Sequence, residues 1–338
     1  MKRNLTLLAL LSAIISAGVL SCTPVKRGEY AKGSGVVCCD DGFRNIMAEE
    51  IEVFEFSYPE ASIIPFYVSE KEAIDSLMAD ATQMIVITRE MTKEEIEYIK
   101  KKNKRVVRQN CIAVDAVALI VNKNNPVGAL TQEDIKRIMT GEISRWDQLA
   151  GNDTTRIKLV FDNAGSSTVS YMREKFLGGK GSISDHTYSF AQKNNAQVFD
   201  VVKKDPQALG IISVSWLGDN LGGAKKVPLE QRVEDYSAEN DTIATPLTTE
   251  VNIIKVSNPT EANDFNPESF LPYQAYIYSG EYPLVRKVYM ISTASNSTVM
   301  HSFYTFVTGY VGQKIISKTG ILPYHVNPRV VNLVERNK

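Results

Sequence analysis

The sequence predicts an α/β protein in which mostly parallel sheets carry helices on both faces. Three observations carry that prediction. Short apolar runs alternate with amphipathic helical stretches from residue 36 onward. The same alternation restarts after Ala116-Val117-Ala118-Leu119-Ile120-Val121. The chain has 338 residues, and about 100–200 residues per domain is usual, so two domains are expected.

The elements follow in order. Val36-Val37-Cys38-Cys39 is a buried strand ending at Asp40-Asp41-Gly42, and residues 48–56 carry helical apolar spacing. Ser62-Ile63-Ile64-Pro65-Phe66-Tyr67-Val68 is a second strand. A helix over 71–81 places Ala73, Ile74, Leu77 and Met78 on one face. Met84-Ile85-Val86-Ile87 is a third strand, and Thr92-Lys93-Glu94-Glu95 is a capping box that opens a helix. Thr131 caps the next helix. Leu159-Val160-Phe161 is a strand that runs into Asp162-Asn163-Ala164-Gly165-Ser166-Ser167-Thr168, with a helix over 169–176. Gly210-Ile211-Ile212-Ser213-Val214 is another buried strand. Residues 218–272 are polar and irregular. A strand is expected over 285–292 and one long helix over 299–318, with Gly320 as its terminator. Buried strands alternating with helices indicate parallel pairing between helical layers.

Hydrophobic residues make up 43% and charged residues 23%, as in ordinary globular chains. The net charge of −1 provides no bulk basic field for nucleic acid. The run Lys100-Lys101-Lys102-Asn103-Lys104-Arg105 reads as a solvated loop or helix end.

The first segment differs from the rest. Lys2 and Arg3 precede Leu5-Thr6-Leu7-Leu8-Ala9-Leu10-Leu11, and the apolar stretch runs on to Val19-Leu20-Ser21-Cys22. A positive start, an apolar stretch and a small residue before a cut point mark a secretory signal. Ser21-Cys22 resembles the lipobox of bacterial lipoproteins, in which cleavage leaves a lipidated cysteine. Residues 1–21 are then the signal peptide, Cys22 is the lipidation site and 22–33 form a tether. The stretch is also about the minimum length for a bilayer span, so an uncleaved anchor is the other reading. Either one puts the remaining chain outside the cytoplasm. Cys38, Cys39 and Cys111 remain after processing. Cys38 and Cys39 read as strand core, and one disulfide to Cys111 stays open.

In open α/β sheets, ligands sit at the carboxyl ends of strands near helix N-termini. Three segments fall there. Asp40, Asp41, Gly42 and Phe43 form a turn whose amides can point at an anion. Thr88 and Arg89 follow a buried strand, and arginine offers a planar fork for phosphate or carboxylate. Gly165, Ser166, Ser167 and Thr168 bring hydroxyls and free amides to the positive end of a helix dipole. Each also has an ordinary role, as turn, surface ion pair or helix cap. Catalysis has no comparable signal. His186, His301 and His325 are far apart, and no Gly-x-Ser-x-Gly, His-Glu-x-x-His or phosphate loop is present.

At these residues the chain resembles a known family. Asn125-Pro126 followed by Thr131 to Ile135, then Thr140-Gly141-Glu142-Ile143 and Trp146, resemble the phosphate-binding proteins of bacterial phosphate-specific ABC transporters. Tyr282-Pro283-Leu284-Val285-Arg286-Lys287-Val288-Tyr289 continues the match, as do Gly312-Gln313-Lys314-Ile315-Ile316 and Gly320-Ile321-Leu322-Pro323. The resemblance spans about residues 35–323. It implies the two-lobe type II periplasmic binding-protein fold with a hinge of crossing strands. Lobe one would be 34–117 plus 290–338, and lobe two 118–289. It implies no cofactor and no catalysis. It implies a monomeric, membrane-anchored envelope lipoprotein that binds phosphate or a similar oxyanion and delivers it to ABC transporter permease subunits. A non-transport envelope protein reusing the fold, and a hydrolase in the cleft, remain the alternatives.

Mapped onto this chain, the family's first loop falls on Asp41, Gly42 and Phe43, the second on Ser69 and Glu70, the third on Thr88 and Arg89, and the fourth on Ser166, Ser167 and Thr168. Two positions depart from the pattern. Glu70 stands near a usual serine, and Asp162 stands on or near a usual arginine. Like charges about 4 Å apart at an effective dielectric of about 20 repel by on the order of 4 kcal/mol, so both carboxyls are protonated, turned away or accept the proton of monohydrogen phosphate if phosphate binds, and a different oxyanion or an amine-bearing solute is the alternative guest.

Overall fold

The computed structural model describes residues 30–151, 153–183, 189–218, 227–238, 246–257 and 268–325. The signal segment, Cys22 and the tether up to residue 29, His186, parts of 218–272 and the chain after residue 325 lie outside the described residues.

In chain order, β1 (Gly33–Asp40) leads through a 3-10 turn at Asp41–Phe43 into α1 (Arg44–Ser57), followed by β2 (Ala61–Val68), α2 (Glu70–Met78) and β3 (Met84–Ile87). Next come α3 (Lys93–Tyr98), β4 (Arg108–Val121), β5 (Ala129–Thr131), α4 (Gln132–Thr140), β6 (Lys158–Phe161), α5 (Ser167–Leu177), β7 (Ser189–Ala191), α6 (Asn195–Lys204) and β8 (Ala208–Ser213). The last third holds α7 (Leu229–Ser237), β9 (Asn252–Ile253), β10 (Lys255–Ser257), β11 (Ser269–Phe270), α8 (Gln274–Ser279), β12 (Val285–Ser292), α9 (Val299–Thr308), α10 (Tyr310–Lys318) and β13 (Leu322–Pro323).

The main sheet runs β2-β1-β3-β12-β4-β8-β6-β7. Its two wings are parallel: β1 with β2 and β3, and β6 with β7 and β8. Its centre is antiparallel, because β12 and β4 run against their neighbours. The 14-residue β4 joins the wings. Its residues 108–116 pair with β12, and 117–121 pair with β8. All of β12, from Val285 onward, pairs on the side of the first wing.

Period-2 alternation explains the packing. Cys39, Met84 and Val86 join the large core that runs through both wings. Cys38, Ile85 and Ile87 face the other way, onto Ala73, Leu77 and Ile99 beneath α2. Burial on both faces is why these strands are continuous apolar runs. All three described cysteines are free. β3 and β12 stand between β1 and β4. Three strand spacings of about 4.8 Å put Cys111 well beyond the roughly 7 Å reach of a disulfide.

The caps at Thr92 and Thr131 form, each as a full capping box with Glu95 and Asp134. The long helix expected over 299–318 is instead two. Gly309 takes an extended conformation, at φ −86° and ψ −179°, between α9 and α10. A side chain on Gly312 would meet Val307 Cα at 2.5 Å, so the two glycines let α10 fold back closely against the end of α9. Gly320, at φ +89°, ends the pair.

Candidate functional site

Four strand ends converge on one buried polar cluster. At the end of β1, Asp40 uses Oδ1 to accept the Gly42 N–H at 3.0 Å. Its Oδ2 accepts the Ser167 N–H at 3.0 Å, in the first turn of α5. Asp41 accepts Arg44 Nε at 2.8 Å through Oδ1 and the Asn195 N–H, at the start of α6, at 3.1 Å through Oδ2. Two carboxylates of the first turn therefore meet the N-termini of two helices from the other wing. Helix N-termini favour negative charge. Gly42 is needed for this approach, since a Cβ there would lie 2.9 Å from Asp40 Oδ1.

At the end of β6, Asp162 accepts Ser166 Oγ at 2.5 Å and Asn195 Nδ2 at 3.1 Å. Ser166 also caps α5 by accepting the Val169 N–H. Below it lies Arg286 of β12, only 6% exposed. Its register partner across the strands is Asp115 of β4. Arg286 Nε donates to Asp115 Oδ2 at 2.9 Å. Nη1 donates to Ser167 Oγ at 3.1 Å and Thr168 Oγ1 at 3.3 Å. Asp115 Oδ1 accepts Ser213 Oγ at 2.8 Å. The guanidinium stands over the Phe43 ring at 5.4 Å. Among the described residues its Nη2 has no acceptor and Asn195 Oδ1 has no donor. A buried donor left open on a guanidinium that bonds two hydroxyls is unusual, because such groups are nearly always paired.

The electrostatics follow from burial. Asp40 is pushed up to about 6 by loss of water, against the pull of Arg286 and the Ser167 N–H. Asp162 is pushed up to about 7, first by burial and then by the charge of Asp40. Burial also raises Asp115, with Arg286 opposing. Burial disfavours the charge on Arg286, but Asp115, Asp40 and Asp162 outweigh it and hold it protonated. The pair Arg286–Asp115 is fully desolvated, the class in which removing one partner strands the other at high cost.

Of the residues read from the sequence, Asp41, Gly42, Phe43, Ser166, Ser167 and Thr168 come together here. Ser69 borders the cluster: it caps α2 with Glu72, and a Cβ on Gly165 would lie 3.2 Å from its Oγ. Glu70 turns to the end of β3 and accepts both the N–H and the Oγ1 of Thr88 at 2.7 Å. Thr88 thus serves Glu70. Arg89 is engaged elsewhere. Its two terminal nitrogens donate to Glu95 at 2.8 and 2.7 Å, with the side chain 39% exposed. The guanidinium in the cluster is that of Arg286. Asp40 belonged to the first segment read from the sequence, whereas Asp115, Asn195, Ser213 and Arg286 were not singled out there. Only Asp115 carried a signal, as the lone charge in the apolar part of β4, whereas Arg286 stands beside Lys287 in β12. The arrangement can bind a small anion through Arg286 Nη2 and the hydroxyls of residues 166–168. Its surplus of carboxyls requires that protons accompany the anion. Among the described residues, no group of three or more His, Cys, Asp or Glu is set to hold a metal ion.

Comparison with known proteins agrees with this architecture. The phosphate-binding protein PstS of Borreliella burgdorferi is 25% identical over 256 residues, covering 74% of this chain and 75% of the relative. PstS of Pseudomonas aeruginosa is 23% identical over 344 residues, covering 96% and 95%. These relatives are named for binding phosphate rather than for catalysis. Among solved structures, a Clostridium perfringens protein with bound phosphate aligns with a TM-score of 0.65 at 23% identity, covering 86% of this chain and all of that one. An ABC-type phosphate transport receptor of Vibrio cholerae aligns at 0.56 with 20% identity, covering 86% and 100%. Both have the mixed α/β fold of type II periplasmic binding proteins. Residues 32–310 match the family described as the PBP superfamily domain, and the chain belongs to that family.

Proposed function

We propose that this chain captures phosphate, or a similar small oxyanion, between two lobes and hands it to an ABC transporter. The observation that carries the reading is the buried Arg286, whose Nη2 has no acceptor among the described residues and whose neighbours are Ser167 and Thr168. A charge-assisted fork in a water-poor site supplies both affinity and selection for a tetrahedral oxyanion. The phosphate-binding relatives support the choice of guest.

In this reading the lobes hinge where β4 exchanges β12 for β8, and because all of β12 pairs with the first wing, the C-terminal part of lobe one starts at 285 rather than 290. Any lobe movement the guest brings about is limited to its differential affinity for the two forms. Cleavage after Ser21 and lipidation of Cys22 would tether the protein to the envelope membrane as a monomer. Among the described residues, no helix is long and apolar enough to cross a membrane.

Native mass spectrometry of freshly purified protein tests the reading. The expected result is a retained mass equal to phosphate, lost on denaturation. No retained ligand and no thermal shift on adding phosphate would reject it. One observation favours a second reading, an envelope scaffold that binds no anion: Asp40 and Asp41 already fill two amide positions of the cleft.

A further inference from the structure

We propose that Asp40 is a tethered occupant of the guest's own place, its carboxylate holding the Ser167 N–H from across the cleft so that guest and Asp40 compete for one donor. The inference rests on the anion-binding reading above and concerns the same site. Anions dock at helix N-termini through the first-turn amides. In α5 the Val169 N–H is already taken by the Ser166 cap, and the Ser167 N–H is taken by Asp40. The contact joins residues 127 positions apart and bridges the two wings of the sheet. Asp41 repeats the pattern at the Asn195 N–H, but Arg44 beside it balances its charge.

An independent observation marks the place as a guest's. Arg286 acts on Asp40 and Asn195 bonds Asp41, and among the described residues the buried Arg286 Nη2 and Asn195 Oδ1 have no partner. The charged groups facing Asp40 are Glu70 from α2, Asp162 from the β6–α5 turn and Arg286 from β12. Asp115 and Asp41 stand next to them. Burial first, and the Glu70 charge after it, raise the proton affinity of Asp40 against the pull of Arg286 and the Ser167 N–H. An oxyanion entering the cleft displaces Asp40 from Ser167 or arrives as Asp40 takes up a proton. In either case the unliganded protein is held closed by its own carboxylates.

Asp40→Asn tests this, because its amide oxygen is a neutral and weaker acceptor. Small-angle scattering of anion-free protein at pH 8 reads the lobes, and calorimetry with inorganic phosphate and with sulfate reads the competition. The expected result is a wild-type protein that is compact without guest and changes little on adding phosphate. Asp40→Asn should expand without guest, compact again with phosphate, and bind both anions at least tenfold more tightly. An open anion-free wild type, or an Asp40→Asn variant with unchanged dimensions and affinity, overturns the proposal even if phosphate binds. If neither protein binds phosphate yet Asp40→Asn expands, the latch stands and the phosphate reading falls. Should the variant fail to melt cooperatively, the anion-free wild type alone decides, compact in support and open against.

Discussion

Replacing Arg286 by methionine should destabilise the protein by about 3–5 kcal/mol, because Asp115 is left charged and buried without its partner. The two side chains are 3% and 0% exposed, so water cannot relieve the stranded carboxylate. The same replacement made together with Asp115→Leu should restore most of that loss, since a buried ion pair exchanged for apolar groups of similar volume is often neutral or stabilising by about 1–4 kcal/mol. Ser213 keeps a partner in the double variant, because its hydroxyl also lies 2.8 Å from Ser215 Oγ. Phosphate binding should not be restored. Loss of a desolvated charge from a binding site costs about 2 kcal/mol or more, which is at least about a 30-fold rise in Kd at 1.4 kcal/mol per decade. Urea unfolding followed by circular dichroism gives the stabilities, and calorimetry gives the affinities. A single variant that loses less than about 1 kcal/mol, or a stable double variant that binds phosphate like the wild type, would refute the assignment of Arg286 to both roles.

Asp162 predicts a pH dependence. Its folded-state pKa is raised from 3.8 to about 7, so the folded chain binds the extra proton between those values. The stability this supplies is complete below about pH 4 and is lost as pH rises to about 7. Asp162→Asn should therefore be more stable than wild type at pH 8, by up to about 4 kcal/mol at 1.36 kcal/mol per unit, and close to it at pH 4; parallel pH profiles of the two urea midpoints would contradict this. Gly165→Ala places a Cβ 3.2 Å from Ser69 Oγ. It should weaken phosphate binding by about 1 kcal/mol through hindered closure with little change in melting temperature. Unchanged affinity would separate that contact from closure.

The scaffold was legible in the sequence where one physical pattern ruled. β3 and β12 match their expected bounds because both are short, mostly apolar and buried. β4 begins well before its apolar run, since Arg108-Gln109-Asn110 pair with β12 while carrying polar side chains. The helix pair after residue 299 hid its break in Gly309, whose effect depends on how closely α10 approaches α9. The site divides in the same way. The rule that ligands gather at strand ends pointed to Asp40 through Phe43 and to Gly165 through Thr168, all local in sequence. Arg286 and Asp115 meet only through strand register, across 171 positions, and no local pattern encodes that. Arg89 showed the local signal for an anion site, yet Glu95, which caps the next helix, takes its guanidinium. Glu70 and Asp162, the two departures from the family pattern, are accommodated differently. Glu70 is satisfied by Thr88, whereas Asp162 stays buried beside Asp40 with its proton affinity raised.

Titration calorimetry with sulfate at pH 5.5 and at pH 8 bears most directly on a carboxyl-rich anion site, because sulfate keeps the same charge across that range and only the protein titrates. With Asp40 raised to about 6 and Asp162 to about 7, an anion placed among them should bind with proton uptake. Affinity is then expected to be at least tenfold higher at pH 5.5, with heats that vary with the ionisation enthalpy of the buffer. Equal affinity at both pH values, with buffer-independent heats, would mean that the anion does not sit among these carboxyls.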